Sequence, residues 1–439
     1  MTTSHTLKPN SGRWLGFTPK LLTVLRQGYR WRDFQRDALA GLTVAIVALP
    51  LSMALAIASG TTPDKGLTTA IVAGFLISLL GGSRVQIGGP TGAFVVLVFD
   101  TIQRYGYDGL VQATLMAGGL LLLMGWARLG NLMKHIPDTV IKGFTAGIAV
   151  ILFTSQIGAF LGLQLSHEPG DVFGKWTAYF LARHTLEPLA LLLGALSLLV
   201  ILLVPRLAPR VPALLLAVVI GSLLIALLHW NVPTIGSRFG GIPNTLPWPA
   251  WPEMSLARLR ELFPSAVSIA LLAGIESLLS ATVADNMMQG RHRANAELVA
   301  QGVANIGSAF FGGMPATGAI ARTATNVRAG GATPVAGIMH AVWLLLFMLL
   351  AAPLAVYVPL TTLAAILFVV AWNMSEAKEL PHLVRDRRKS DILVLAATFF
   401  LTVFVDLTMA IGVGTLAGII MQRARRVGEL PDTKHDQPR

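Results

Sequence analysis

Glu276, Ser277, Ser280, Asp285, Asn305, Thr317, Arg322, Thr323, Thr325 and Asn326 crowd into residues 270–337 of a chain otherwise dominated by leucine, valine and alanine. Their apolar flanks place them at membrane depth, where polar and ionisable groups are expensive. Two kinds of chemistry account for such a cluster: a site for a polar substrate, or hydrogen bonds that glue helices together. A helix break in its middle favours the substrate site.

The break runs from Gly312 through Gly313, Met314, Pro315, Ala316 and Thr317 to Gly318. Two glycines and a proline cannot continue a helix from Phe310, whereas Pro315 suits the first turn of a new helix beginning near Ala316. Irregular backbone at this depth requires protein or a water-filled cavity around it. A half-helix starting near Thr317 would aim free N–H groups and the positive end of its dipole into that cavity, which favours an anion. Arg322 would follow about a turn and a half later.

An earlier stretch, GGSRVQIGGPTGAFVV at 81–96, repeats the pattern: Pro90, Thr91, Gly92 and Ala93 echo Pro315, Thr317, Gly318 and Ala319. The breaks lie about 225 residues apart, near half the chain, each in the third hydrophobic element of its half. Paired Gly/Pro interruptions at corresponding positions mark a transporter site built from inverted repeats. The N–H groups of Thr91 to Ala93 and of Thr317 to Ala319 are the expected anion cradle.

The elements that must position these breaks are membrane helices. Of 439 residues, 54% are hydrophobic and 13% charged, which makes the chain a polytopic membrane protein. The net charge of +12 sits in short connections and termini, with no basic stripe interleaved with aromatics, so no nucleic-acid partner is expected. Cysteine is absent, which excludes disulfides, thiolate chemistry and cysteine-ligated metal centres. Residues 1–36 carry seven Lys/Arg against one acid, Asp33, and read as a cytoplasmic segment rather than a signal peptide. Within it, Leu21 to Phe34 suits amphipathic packing on the inner leaflet.

Hydrophobic elements are expected at 37–58, 66–80, 90–103, 110–127, 138–163, 187–204 and 211–229. A second set follows at 264–284, 296–311, 316–327, 333–351, 356–373, 391–405 and 407–423. The fold class is therefore all-α, with fourteen transmembrane elements in a seven-plus-seven inverted repeat. The repeats cover 37–229 and 264–423, joined by 230–263 and followed by a short cytoplasmic tail at 424–439. With both termini cytoplasmic, the inside connections carry Arg84, Arg128 with Lys134, Arg206 with Arg210, Arg291 with Arg293, Arg328, and a basic run from Lys378 to Lys389. Those at 311–315, 352–355 and 405–407 are nearly uncharged, as the positive-inside rule asks. The exception, 230–262, holds Arg238, Arg258 and Arg260; its Trp248 and Trp251 suit interface anchors, and its last dozen residues an amphipathic helix ending before Pro264.

No GxxxxGK[ST], HExxH or GxSxG pattern occurs, and the polar cluster lacks a nucleophile–base pair. The chain reads as a gradient-driven carrier without a cofactor, not an enzyme.

The run IESLLSATVADNMMQGRHRANAELVAQGVANIGSAFFGGMPATGAIARTATNVRAGGATPVAGI resembles the SulP family of sulfate permeases and anion exchangers. LAGLTVAIVALPLSMALAIASG at 39–60, GGSRVQIGGPTGAF at 81–94 and IPDTVIKGFTAGIAVIL at 136–152 extend the resemblance over most of the chain. It implies a core domain (elements 1–4 and 8–11), a gate domain (5–7 and 12–14), a homodimer, and elevator-type movement of core past gate. It also implies an anion held between half-helices 3 and 10, with Ser52 on element 1 among the surrounding side chains. By position, Glu276 matches the acid that opens the family's E/D-S-L-L pattern, and Ser280 its hydroxyl partner. In that setting the pair resembles a sodium site, or Glu276 a proton carrier; an ion pair with Arg322 is the competing reading. Arg322 matches an arginine after the half-helix, an anion ligand or a structural clamp.

Pro50-Leu51-Ser52-Met53-Ala54-Leu55 departs from the family's Pro-Gln-(Ala/Ser)-Met-Ala-Tyr, losing the glutamine and tyrosine. No STAS domain is expected after residue 423. The reading is a carrier for a small anion (sulfate, bicarbonate or C4-dicarboxylate), coupled to H+ or Na+, in a bacterial cell membrane and surrounded by lipid. Uncoupled exchange and channel-like conduction are the alternatives.

Overall fold

The computed structural model describes residues 15–130, 138–165, 168–375 and 389–404, together with Val413. The first half contains α1 (Lys20–Arg26), α2 (Trp31–Ala58), α3 (Pro63–Leu80), strand β1 (Gly88–Gly89), a 3-10 turn (Gly92–Phe94), α4 (Val95–Trp126), α5 (Asp138–Leu161), α6 (Val172–Leu181), α7 (Pro188–Leu207), α8 (Ala213–Leu228) and α9 (Ile235–Phe239). The second contains α10 (Leu256–Met288), α11 (Ala294–Phe310), β2 (Thr317–Gly318), α12 (Ile320–Arg328), α13 (Pro334–Ala351), a 3-10 helix (Ala352–Tyr357), α14 (Leu360–Met374) and α15 (Lys389–Phe404). Among the described residues, seven helical spans are long and apolar enough to cross a membrane. The chain is a multi-pass membrane protein.

Sequence explains the helix ends. Pro63, Pro188 and Pro334 open α3, α7 and α13, where a missing N–H costs nothing. Asp33 accepts from the Arg30 N–H at 3.0 Å and starts α2. Buried Asp37 then accepts from the Ala332 N–H (3.0 Å), Tyr29 Oη (3.0 Å) and Thr333 Oγ1, tying the start of α2 to the entry of α13.

The helices fall into two packed groups. α2 packs on α3 and α13, and α4 on α10 and α11, with α12 against α2 and α10. α14 and α15 pack on α5, and α7 on α8 and α14. A buried apolar cluster including Leu55, Leu152, Ile201 and Ile366 joins the groups.

Several expectations are corrected. Elements 3 and 4 are two helices, together labelled α4, that meet at a kink at Gly106, whose φ of 72° a side chain would resist; they join there directly, without the expected connection at 104–109. The expected amphipathic segment before Pro264 is the first part of α10, which passes through that proline. α2 begins at Trp31 rather than 37, and α6 lies in a connection where no helix was expected. α1, within the segment expected to pack on the inner leaflet, also holds protein contacts and keeps Leu22 and Leu25 exposed: the Lys20 N–H donates to Gly81 O at 2.9 Å, and Arg293 Nη1 to Thr23 Oγ1 at 3.0 Å. Element 14 (407–423) apart from Val413, the tail and most of the basic run 378–389 lie outside the described residues.

The largest correction concerns the second break. No helix begins at Ala316 or Thr317; α12 starts at Ile320. Residues 314–316 are pinned by side chains instead. Asn305 brackets Ala316, its Nδ2 donating to Ala316 O and its Oδ1 accepting from Ala316 N–H, both at 2.9 Å. Ser308 Oγ donates to Met314 O at 2.7 Å, and the Met314 N–H to Thr69 Oγ1 at 2.7 Å. All are buried, so each bond replaces one that a helix would have supplied.

Asn305→Ala should therefore strand two backbone groups at once and cost about 2–4 kcal/mol. The measurement is a fall in the unfolding midpoint in detergent; an unchanged midpoint contradicts the bracket.

Candidate functional site

The two breaks meet. Gly88 pairs with Gly318 and Gly89 with Thr317 in an antiparallel strand pair, extended by the Ala319 N–H donating to Ile87 O at 2.8 Å. Each strand runs into a helix: β1 through the turn 92–94 into α4, and β2 into α12. Because the strands are antiparallel, the helices leave in opposite directions and both N-termini flank the strand pair. Their free N–H groups and positive dipole ends favour negative charge between them. α12, nine residues, extends only about 14 Å, too short to cross a bilayer alone.

Arg322, in the first turn of α12, turns back across this pair and is 2% exposed. Its Nη2 donates to Pro90 O (3.0 Å) and Ser52 Oγ (3.2 Å), while Nε and Nη1 have no partner among the described residues. Gly89 makes room for it: a Cβ there would lie 2.2 Å from Nη1. Half-buried Glu276 on α10 accepts from Thr91 Oγ1 at 2.9 Å. Glu276 and Arg322 act on each other through space, each holding other partners.

The remaining expected residues divide. Gly92 faces Met374 and Leu152, side chains of the second helix group. Ala93 is buried in an apolar cluster with Phe94 and Leu97. Thr317 spends its hydroxyl on Ala273 O (2.8 Å). The Ala319 N–H is occupied by Ile87 and is not a free donor. Ser280 is turned to Thr323 Oγ1 (3.2 Å), so the hydroxyl at Glu276 is Thr91 instead. Asp285 caps the loop after α10 through His292 (2.7 Å), and Asn326 donates to Val85 O (2.9 Å). Of the ten cluster residues, only Glu276 and Arg322 face the site with unspent charge.

Sequence reasoning missed a buried carboxylate. Glu297 on α11 accepts from the Gly82 and Ser83 N–H groups at 2.9 and 3.2 Å on one oxygen. The other accepts from Ser277 Oγ (3.0 Å) and Gln301 Nε2 (2.9 Å). Ser277 Oγ also accepts from Gln86 Nε2 at 2.9 Å, and the Gln86 amide lies against Gly318, where a Cβ would sit 1.4 Å from Nε2. This chain of bonds braces the β2 strand from the neighbouring helices. Glu297, Gln301 and Asn305 recur every four residues, a polar stripe on one helix face that was legible in the sequence.

A model of the sulfate permease family matches residues 34–398. The chain belongs to the sulfate permease family. It is 47% identical over 396 residues to the putative sulfate transporter YvdB of Bacillus subtilis (strain 168), covering 90% of this chain and 74% of that protein. It is 32% identical over 403 residues to the bicarbonate transporter BicA of Picosynechococcus sp., covering 89% and 70%. The solved transmembrane domain of a cyanobacterium bicarbonate transporter BicA superposes with a TM-score of 0.79 at 32% identity, covering 87% of this chain and 98% of that one. The overall structure of SLC26A9, at 18% identity, shares the fold with a TM-score of 0.84, covering 94% and 68%. The sulfate permease family and these relatives are transporters rather than enzymes.

Two substitutions test the brace. Glu297→Gln keeps the shape but puts an NH2 against donors, and should cost about 3 kcal/mol in unfolding free energy; full stability would argue against the hydrogen-bond assignment. Gly318→Ala should lower the melting temperature, and adding Gln86→Ala should recover part of the loss. Strict additivity in that double-mutant cycle would contradict the contact.

Proposed function

We propose that this protein is a secondary transporter of a small oxyanion, of the sulfate, bicarbonate or C4-dicarboxylate class, coupled to H+ or Na+. The observation that carries the reading is Arg322: a buried guanidinium with two nitrogens unspent, beside two helix N-termini. Unpaired charged donors in a buried site are costly, and an oxyanion arriving there relieves that cost with charge-assisted hydrogen bonds. The names of the family relatives, a putative sulfate transporter and a bicarbonate transporter, support the substrate class.

Glu276 supplies the coupling. A carboxylate repels an anion nearby unless a proton or cation accompanies it. Thr91 is its hydroxyl partner and stands in the same stretch as the cradle N–H groups, so the coupling group and the anion share one turn of backbone. Ser280, tied to Thr323, stands one step removed.

The two packed helix groups support a core that carries the site and a gate that it moves against. Gly92, at the core's edge, touches the gate through Met374 and Leu152, so this contact must change when the anion crosses. The seven-plus-seven repeat, elevator movement, a homodimer and cytoplasmic termini in a cell membrane belong to this reading.

The test uses purified protein in sodium-free liposomes holding a pH dye, under an inward proton gradient. Anion-dependent internal acidification that saturates, and is lost in Glu276→Gln while the melting temperature holds, is the expected result. Unsaturated flux with no counterflow would replace the carrier by a channel. Saturable flux unaffected by Glu276→Gln would replace coupling by exchange.

A further inference from the structure

An apolar groove of about 430 Å³ lies apart from the anion site, between α2 and α13 on one side and α8 with residues 352–358 on the other. Its floor is buried: Met53 is 3% exposed, Val218 7% and Val358 5%. Its mouth is not, since Leu223 is 52% exposed and Leu354 68%. Apart from Ser222 and Tyr357, every side chain lining it is apolar.

Two of the walls, α2 and the span 334–357, are of membrane length, and α8 is a shorter apolar helix beside them, so the medium at the mouth is hydrocarbon rather than water. A groove without polar partners does not hold ordered water, and left empty it forfeits dispersion contacts along its lining. A polar ligand would find almost nothing to bond. A hydrocarbon chain fits both the chemistry and the adjacent medium. The groove runs from the 3-10 helix 352–357, where Tyr357 suits the headgroup level, toward Pro50 inside α2.

We propose that this groove is a binding site for one acyl chain of a membrane phospholipid, seated between α2 and α8 with its headgroup beside Tyr357. The site crosses the boundary between the two helix groups. Pro50 and Met53, on its wall, bracket Ser52, whose hydroxyl holds Arg322, so the chain supports the turn of α2 that carries part of the anion site. The proposal stands on the groove alone and does not depend on the transport reading.

The test is native mass spectrometry and thermal melting of detergent-purified protein with palmitoyl-oleoyl phosphatidylglycerol added. Ala226→Phe and Ser222→Phe place a ring in the groove; Leu227→Phe, on the same helix but off the groove, is the control. Wild type and Leu227→Phe should each retain a phospholipid and melt higher when it is added. The two groove variants should retain roughly tenfold less. A variant-independent arm compares dihexanoyl phosphatidylglycerol, whose headgroup is the same and whose chains are too short to fill the groove; it should give no upshift. Equal retention in folded groove variants, equal upshift with the short-chain lipid, or no retention by wild type would each overturn the proposal. So would a dimer that is lost in Ala226→Phe without any lipid dependence, which would make the groove a seat for a second copy.

Discussion

Backbone N–H and C=O groups inside a membrane must find partners within the protein, and the architecture around the candidate site answers that demand. Two stretches, 81–94 and 312–319, leave helical geometry at membrane depth. Neither can satisfy its own backbone. Pairing β1 with β2 supplies part of what is missing, and Asn305, Ser308, Thr69, Thr323 and Glu297 supply more of it from neighbouring helices. The two halves of the chain are thus held together at the point where each is weakest alone.

That constraint sorts the polar residues. Most hydroxyls and amides in the cluster serve the backbone and leave little for a ligand. Glu276 and Arg322 are different because their partners take up only part of their capacity. A guanidinium with five donors, only two hydrogen bonds among the described residues and 2% exposure is an unfinished interaction rather than a finished clamp. Helix glue and substrate site, opposed as explanations of the cluster, both hold here for different members of it.

The same division appears on a larger scale. The group carrying α2, α4, α10 and α12 is rich in buried polar bonds, several of which hold the backbone of the break. The group built on α5, α7, α8 and α14 meets the first through aliphatic side chains, Gly92 against Met374, and a hydrocarbon-lined groove. Apolar contacts are non-directional and slide at lower cost than hydrogen-bonded ones, which suits a boundary across which two bodies move.

Composition and periodicity by themselves determined the membrane class, most helix positions and the place of both breaks, because twenty-residue apolar runs and Gly/Pro interruptions are local features. The neighbourhood of Arg322 and Glu276 was legible for the same reason. Helix ends inside breaks were not: Pro315 suits a helix start, yet pairing with a strand 229 residues earlier (Gly89 with Thr317 is 228, Gly88 with Gly318 is 230) moved that start to Ile320. The partner of Glu276 was equally hidden. Spacing along α10 points to Ser280, whereas the fold delivers Thr91 from the other half and turns Ser280 to Thr323. Only tertiary structure decides such pairings, because a side chain bonds whichever group packing brings within 3 Å or so, and sequence separation has no part in that distance.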